Sequence, residues 1–188
     1  MSELFSRGTN MKRFLAILTG LLVLLPGVCG ASGYFLVNYG IGGRVDEPSL
    51  GVELGGIVLS DYHPSGGALS FGVGVSVADT DDDPPSAPKA SSLDLANLSS
   101  YDDGNEQEIS VVFGGELSPA LFAVAGLGYS TQDTVTLGTS GGTLYKRDSD
   151  TDKNATFMLG LRYVIEGLNL GLGFHTRRGI MAGVGIAF

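Results

Sequence analysis

Taken in steps of two, the chain from residue 33 onwards keeps separating into an apolar face and a nearly empty one. In "ALSFGVGVSVA" Leu69, Phe71, Val73, Val75 and Val77 alternate with Ala68, Ser70, Gly72, Gly74, Ser76 and Ala78, the period of a strand with two different sides. "GYFLVNYGIGGR" sets Phe35, Val37, Tyr39 and Ile41 against Leu36, Asn38, Gly40 and Arg44, and "LGVELGGIVLS" sets Leu50, Val52, Leu54 and Val58 against Gly51, Glu53 and Gly55. The rule recurs in "EISVVFGGEL", "LFAVAGLGYS", "ATFMLGLRYVIE", "LNLGLGFHTR" and the closing "GIMAGVGIAF". Eight strands are predicted.

The connections sort by length. Links one, three, five and seven fall near 45–49, 80–105, 131–153 and Arg178, while links two, four and six lie at about 61–66, Ser118–Ala120 and Gly167. Both long links therefore share one end. Short periplasmic turns, longer external loops and an even strand number are the habit of bacterial outer-membrane barrels. Strands of about ten residues also suffice to cross a bilayer when tilted.

Composition decides which face is outside. Glycine makes up 30 of 188 residues and charged residues only 16%, against usual shares of ~7% and ~25%. A soluble barrel would turn its polar face to water, but here that face is glycine, serine and alanine with isolated charges, a poor hydrated surface and a good narrow lumen. The apolar face is thus expected to meet lipid, and closure becomes compulsory because an open edge in hydrocarbon leaves backbone groups unpaired.

The amino-terminal stretch sets the compartment. Met11-Lys12-Arg13 is basic, Phe14 to Leu25 is apolar but for Thr19 and Gly20, and Pro26-Gly27-Val28-Cys29-Gly30 ends the run; this reads as a secretory signal over 1–30, with Met11 a candidate start. The barrel then occupies 31–188. Cys29 is the only cysteine and lies in the cleavage region, behind Val28 rather than the small residue a lipidation signal wants. A mature chain without it has no thiol chemistry. The net charge of −9 argues against a nucleic-acid partner.

With its leader, eight strands, uneven links and final alternation Ile180, Ala182, Val184, Ile186, Phe188, the chain resembles the small outer-membrane β-barrels of the OmpA/OmpX type over its whole mature length. The resemblance implies an all-β, eight-stranded antiparallel up-and-down transmembrane β-barrel. It also implies that Phe188, with Ile186 and Val184, is the signal read by the barrel-assembly machinery during insertion. Lipid and lipopolysaccharide are the surroundings it implies, with the barrel a monomer.

Candidate chemistry is sparse. Arg162 falls on the lumen face with Glu53, Glu108 and Glu116, so an internal salt-bridge network is predicted, filling the barrel and setting its register or acting as a gate. "FHTRRG" echoes the His and Ser pair of barrel lipid A deacylases, but Thr176 stands for the nucleophile and no acidic residue follows Glu166; His175 without base and orienting acid is not a site. Asp148, Asp150, Asp152 and Asn154 make half a calcium loop without its closing glutamate. Together with the acidic, Pro/Ser-rich "DTDDDPPSAPKASS", they read as solvated mobile loops. Arg177, Arg178, Lys146 and Arg147 are candidate partners for lipopolysaccharide phosphates.

The expected function is therefore a non-enzymatic outer-membrane protein, structural or interacting through its external loops, with no metal and no cofactor. The alternatives are a narrow pore for small solutes, a lipid A-modifying barrel enzyme and a secreted soluble binding barrel.

Overall fold

The computed structural model describes residues 32–45, 47–59, 67–90 and 94–188. The expected signal segment, Cys29 and the link near 61–66 lie outside the described residues. Nine strands form among the described residues: β1 (Ser32–Ile41), β2 (Ser49–Leu59), β3 (Ala68–Ala78), β4 (Ala96–Asp102), β5 (Glu106–Ser118), β6 (Leu121–Ser140), β7 (Thr143–Ile165), β8 (Leu168–His175) and β9 (Gly179–Ala187). All pairings among these strands are antiparallel.

Eight of the nine make a ring. β1 pairs with β2, β2 with β3, β3 with β5, β5 with β6, β6 with β7, β7 with β8, β8 with β9, and β9 returns to β1 through Tyr34↔Ala187 to Ile41↔Ile180. No strand of the ring has an open edge. The ninth, β4, stands outside the ring and pairs only with the far part of β6, from Ala96↔Thr139 to Asp102↔Thr134.

The alternation of the sequence becomes the inside and outside of this ring. β3 is buried at every even position and more exposed at every odd one, and the outward side chains Tyr39, Phe71, Phe113, Leu127, Phe157, Leu161, Leu172 and Ile186 are all exposed, Phe113 at 60% and Leu172 at 64%. Inward, the buried set includes Glu53, Glu108, Asn169, Arg162 and His175. This is the reverse of a soluble protein, in which charged residues are almost never fully buried and large apolar bands are not left open.

The lumen is filled. A cluster of Ala68, Val112, Phe122 and Val124, with Ile57, Met158 and Val164 against it, supplies an apolar plug. Cavities of about 20 Å³ beside Arg162 and 10 Å³ beside Arg178 are on the scale of a single water site. Glycines make room for the larger side chains: a Cβ at Gly55 or Gly72 would overlap the phenol of Tyr34.

The segment 131–153 differs from its expected form as a long mobile loop. It is strand almost throughout, closed by Gly141 and Gly142 at φ 59° and 79°, the left-handed pair of a two-residue hairpin turn. β6 and β7 thus continue past the ring as a hairpin. The described parts of the 80–105 link, 80–90 and 94–105, lie against it: Lys146 N–H donates to Pro88 O and Ala90 N–H to Lys146 O, both at 2.9 Å, on the β7 edge, while β4 lies along the β6 edge. The composition of this link is that of a solvated loop; its order comes from hydrogen bonds to hairpin edges distant in sequence.

Candidate functional site

Two ionic groups occupy the lumen. In the first, Arg162 on β7 donates through Nη2 to Glu53 Oε1 on β2 at 2.6 Å, and Tyr34 on β1 donates its hydroxyl to the same oxygen at 2.5 Å. The guanidinium carbon lies 4.4 Å from the centroid of the Tyr34 ring, a cation–π contact in a desolvated setting. Arg162 is 2% exposed. Its charge is tolerable there because Glu53 and the ring face it.

The second group is nearer the loop end. His175 Nε2 lies 3.2 Å from Glu108 Oε1, and Arg178 Nη2 donates to that oxygen, also at 3.2 Å. The other ring nitrogen, Nδ1, accepts the backbone N–H groups of Arg177 and Arg178 at 3.3 and 3.2 Å. With Nδ1 occupied as an acceptor, the ring proton belongs on Nε2, facing the carboxylate. Above this, Arg177 Nε donates to both oxygens of Glu106 at 2.9 and 2.8 Å, and Nη2 also bonds Oε2. The Glu106 hydrogen bonds hold the Arg177 guanidinium above its ordinary pKa.

These positions sort the predicted residues. Arg162 and Glu53 meet, whereas Glu108 serves His175 and Arg178, and Glu116 is spent at the turn end, where it accepts Ala68 N–H at 2.8 Å and Ala120 N–H at 3.1 Å. Two separate networks replace the single expected one. Arg178 is a correction: it turns into the lumen at 8% exposure and is closed off from lipid phosphate. Arg177 is committed to Glu106, and Lys146 stands 3.9 Å from Asp103. Arg147 is exposed on the hairpin, as the extra residue where the β6–β7 register shifts between Thr136↔Asp148 and Leu137↔Lys146.

The remaining candidates separate. His175 is buried in the lumen and Thr176 follows it outside the strand, accepting Phe157 N–H at 3.1 Å, while Glu166 sits in the β7–β8 turn at the opposite end. They do not converge. Asp148, Asp150 and Asp152 lie exposed along β7, where the extended backbone spaces alternate side chains about 7 Å apart and cannot wrap them around one ion.

Phe188 pairs with Gly33 in both directions, N–H to O at 2.8 and 2.7 Å. Ile186 and Val184 face outward on β9, 55% and 56% exposed. Sequence reasoning missed Tyr34, grouped with no network, and His175 as a lumen ligand. The step of two from Leu36 and Asn38 placed Tyr34 inward, and a tyrosine there needs a partner for its hydroxyl.

A ring of eight strands without an edge, apolar outside and ionic within, fits one solvent. The chain is a transmembrane β-barrel.

No protein-family model matches the chain, and no curated protein does. Among solved structures, Ail, the attachment invasion locus protein of Yersinia pestis, in complex with the heparin analogue sucrose octasulfate, is similar at 13% identity and a TM-score of 0.46, over 85% of this chain and 100% of that one. Ail alone gives 15% identity and a TM-score of 0.43, over 86% and 100%. Neisserial surface protein A gives 13% and 0.38, over 84% of this chain and 96% of that one. These scores lie below 0.5, so the barrel rests on its own strand pairing.

Proposed function

We propose that this is a non-enzymatic integral protein of the bacterial outer membrane, whose working surface is the hairpin sheet beyond its loop end. The observation that carries the reading is the contrast between the two halves of β6 and β7. Within the ring their outward faces are apolar, with Leu127, Tyr129, Phe157 and Leu159 exposed. Beyond it, the strands run on through Thr131–Ser140 and Thr143–Asn154 with exposed Asp133, Asp148, Asp150 and Asp152, about 30 Å of polar sheet.

A solute pore would need an open lumen. Apolar side chains and two ionic groups occupy that space instead, and the cavities beside Arg162 and Arg178 are of water size. The external sheet is what remains to meet a partner, and the row Asp148, Asp150 and Asp152 along one face of β7 favours cationic groups there. Lipid and lipopolysaccharide surround the barrel in this reading, and the assembly machinery reads its last strand.

The test joins two measurements. Single-channel recording in planar bilayers should show no steady conductance, and replacing 133–151 by a two-residue turn, which keeps the Gln132↔Asp152 pair, should leave the barrel folded while reducing attachment of expressing cells to cationic surfaces. Stable channel steps, or unchanged attachment by cells carrying the shortened barrel without the Asp148 and Asp150 row, would overturn the proposal.

A further inference from the structure

A groove of about 370 Å³ opens at the loop-end rim, lined by Arg44, Asn154, Ala155, Phe174, Thr176 and Arg177. Its floor is the last outward apolar residue of β8: Phe174 is 57% exposed and pairs with Leu159 on one side and Ile180 on the other, both exposed as well. Its upper edge is polar. The groove therefore spans the level at which hydrocarbon gives way to headgroups.

Charge at this level is unlike the rest of the molecule. Arg177 is neutralised by Glu106, and the hairpin above is acidic, but Arg44 is exposed and has no ion-pair or hydrogen-bond partner among the described residues. Lys153 is equally without an ion-pair or hydrogen-bond partner among the described residues. It is exposed two residues beyond Ala155 on the outward face of β7, on the rung above the groove. Thr176 Oγ1 accepts Phe157 N–H, which leaves the hydroxyl hydrogen available as a donor. Two cations without partners among the described residues and a hydroxyl donor, above an aromatic floor, are complementary to an anion carried on an acyl chain.

We infer that Arg44 and Lys153, with Thr176, form a seat for the phosphate headgroup of a lipid in the leaflet that meets the loop end, its chain lying over Phe174. The occupant is a lipid because the floor belongs to the membrane-facing band. The inference rests on the membrane-spanning reading above and adds to it a site of defined chemistry. It also replaces the phosphate contacts expected of Arg178 and Lys146 with cations that are free to make them.

The barrel should be refolded into nanodiscs of phosphatidylcholine containing a minor share of phosphatidic acid, and the lipid retained after detergent extraction counted by native mass spectrometry. The wild type should retain phosphatidic acid selectively. Arg44→Ala and Lys153→Ala should each reduce that retention about fivefold, whereas Arg147→Ala, on the hairpin outside the groove, should not. Equal retention by wild type and the double variant, or equal loss in Arg147→Ala, would overturn the seat. Displacement of the lipid by millimolar inorganic phosphate would overturn the assignment to a lipid headgroup. Each variant is checked for a shift in gel migration on boiling: a shifting barrel without selective lipid removes the seat alone, and a barrel that fails to insert removes the spanning reading with it.

Discussion

At the scale of single residues, the buried charges carry the specificity of the lumen. Arg162 and Glu53 are worth little against an apolar filling of the same volume, but removing one partner leaves the other charge uncompensated, at a cost of about 3–5 kcal/mol. Arg162→Met is therefore expected to destabilise the barrel by roughly 3 kcal/mol in urea unfolding from lipid vesicles. The double change with Glu53→Gln should recover most of the loss; if both variants unfold at the wild-type midpoint, the pair is not coupled to stability.

His175 shows a different dependence. Its Nδ1 collects two backbone N–H groups from the turn that carries both Arg177 and Arg178, so the ring organises two ion pairs at once. Replacing His175 by Phe, which keeps the volume but offers no acceptor, should raise amide exchange at Arg177 and Arg178 by at least tenfold while the amides of β8 below stay protected. Unchanged exchange in the turn would show that the imidazole acceptor is dispensable.

At the scale of elements, β4 and the β6–β7 hairpin depend on each other. The hairpin has two edges beyond the ring, and the link 79–105 meets both, through Pro88–Ala90 on one side and β4 on the other. Covering edges in this way prevents pairing with other chains. Val135 and Leu137, each 2% exposed, give the extension an apolar anchor of its own.

The β4 end carries a stored penalty. Burial first, then Asp82 and Asp152, raise the Asp102 carboxyl above its ordinary range, and its backbone exchanges hydrogen bonds with the Asp82 segment at 2.9 and 3.1 Å. An acid whose pKa is raised on folding binds its proton more tightly in the folded state, so the attachment of β4 should strengthen as pH falls from neutral toward the carboxylate range. Protection factors of β4 amides report this. Asp102→Asn should reach the low-pH protection already at pH 7 and lose the dependence, and a variant as pH-sensitive as the wild type would assign the effect elsewhere.

For the whole molecule, closure governs stability. Every strand of the ring has two partners, so no strand can peel from an edge and unfolding must break two ladders at once. In SDS the unboiled protein should migrate ahead of the boiled one, as a compact barrel against an extended chain. Identical migration before and after boiling, for protein recovered from membranes, would be incompatible with a closed ring.

Legibility in the sequence followed the range of the interaction involved. The eight ring strands, their inward and outward faces and the short turns at Ser118–Ala120 and Gly167 could be read directly, because a period of two and the breakers Pro119 and Gly167 are properties of neighbours in the chain. The same periodicity put Arg162, Glu53 and Glu108 inside. It could not say which would touch, since that depends on shear and on where each side chain reaches across the lumen: the ring set Glu53 against Arg162 and Tyr34, gave Glu108 to His175 and Arg178, and left Glu116 to backbone amides at the turn end. Order beyond the ring was equally hidden, because Pro88–Ala90 and β4, on either side of an acidic, Pro-rich composition, are held by hairpin edges elsewhere in the chain. Alternation along the chain determined the wall of this barrel; contacts across it, which no local pattern encodes, decided what fills the lumen and what stands above the membrane.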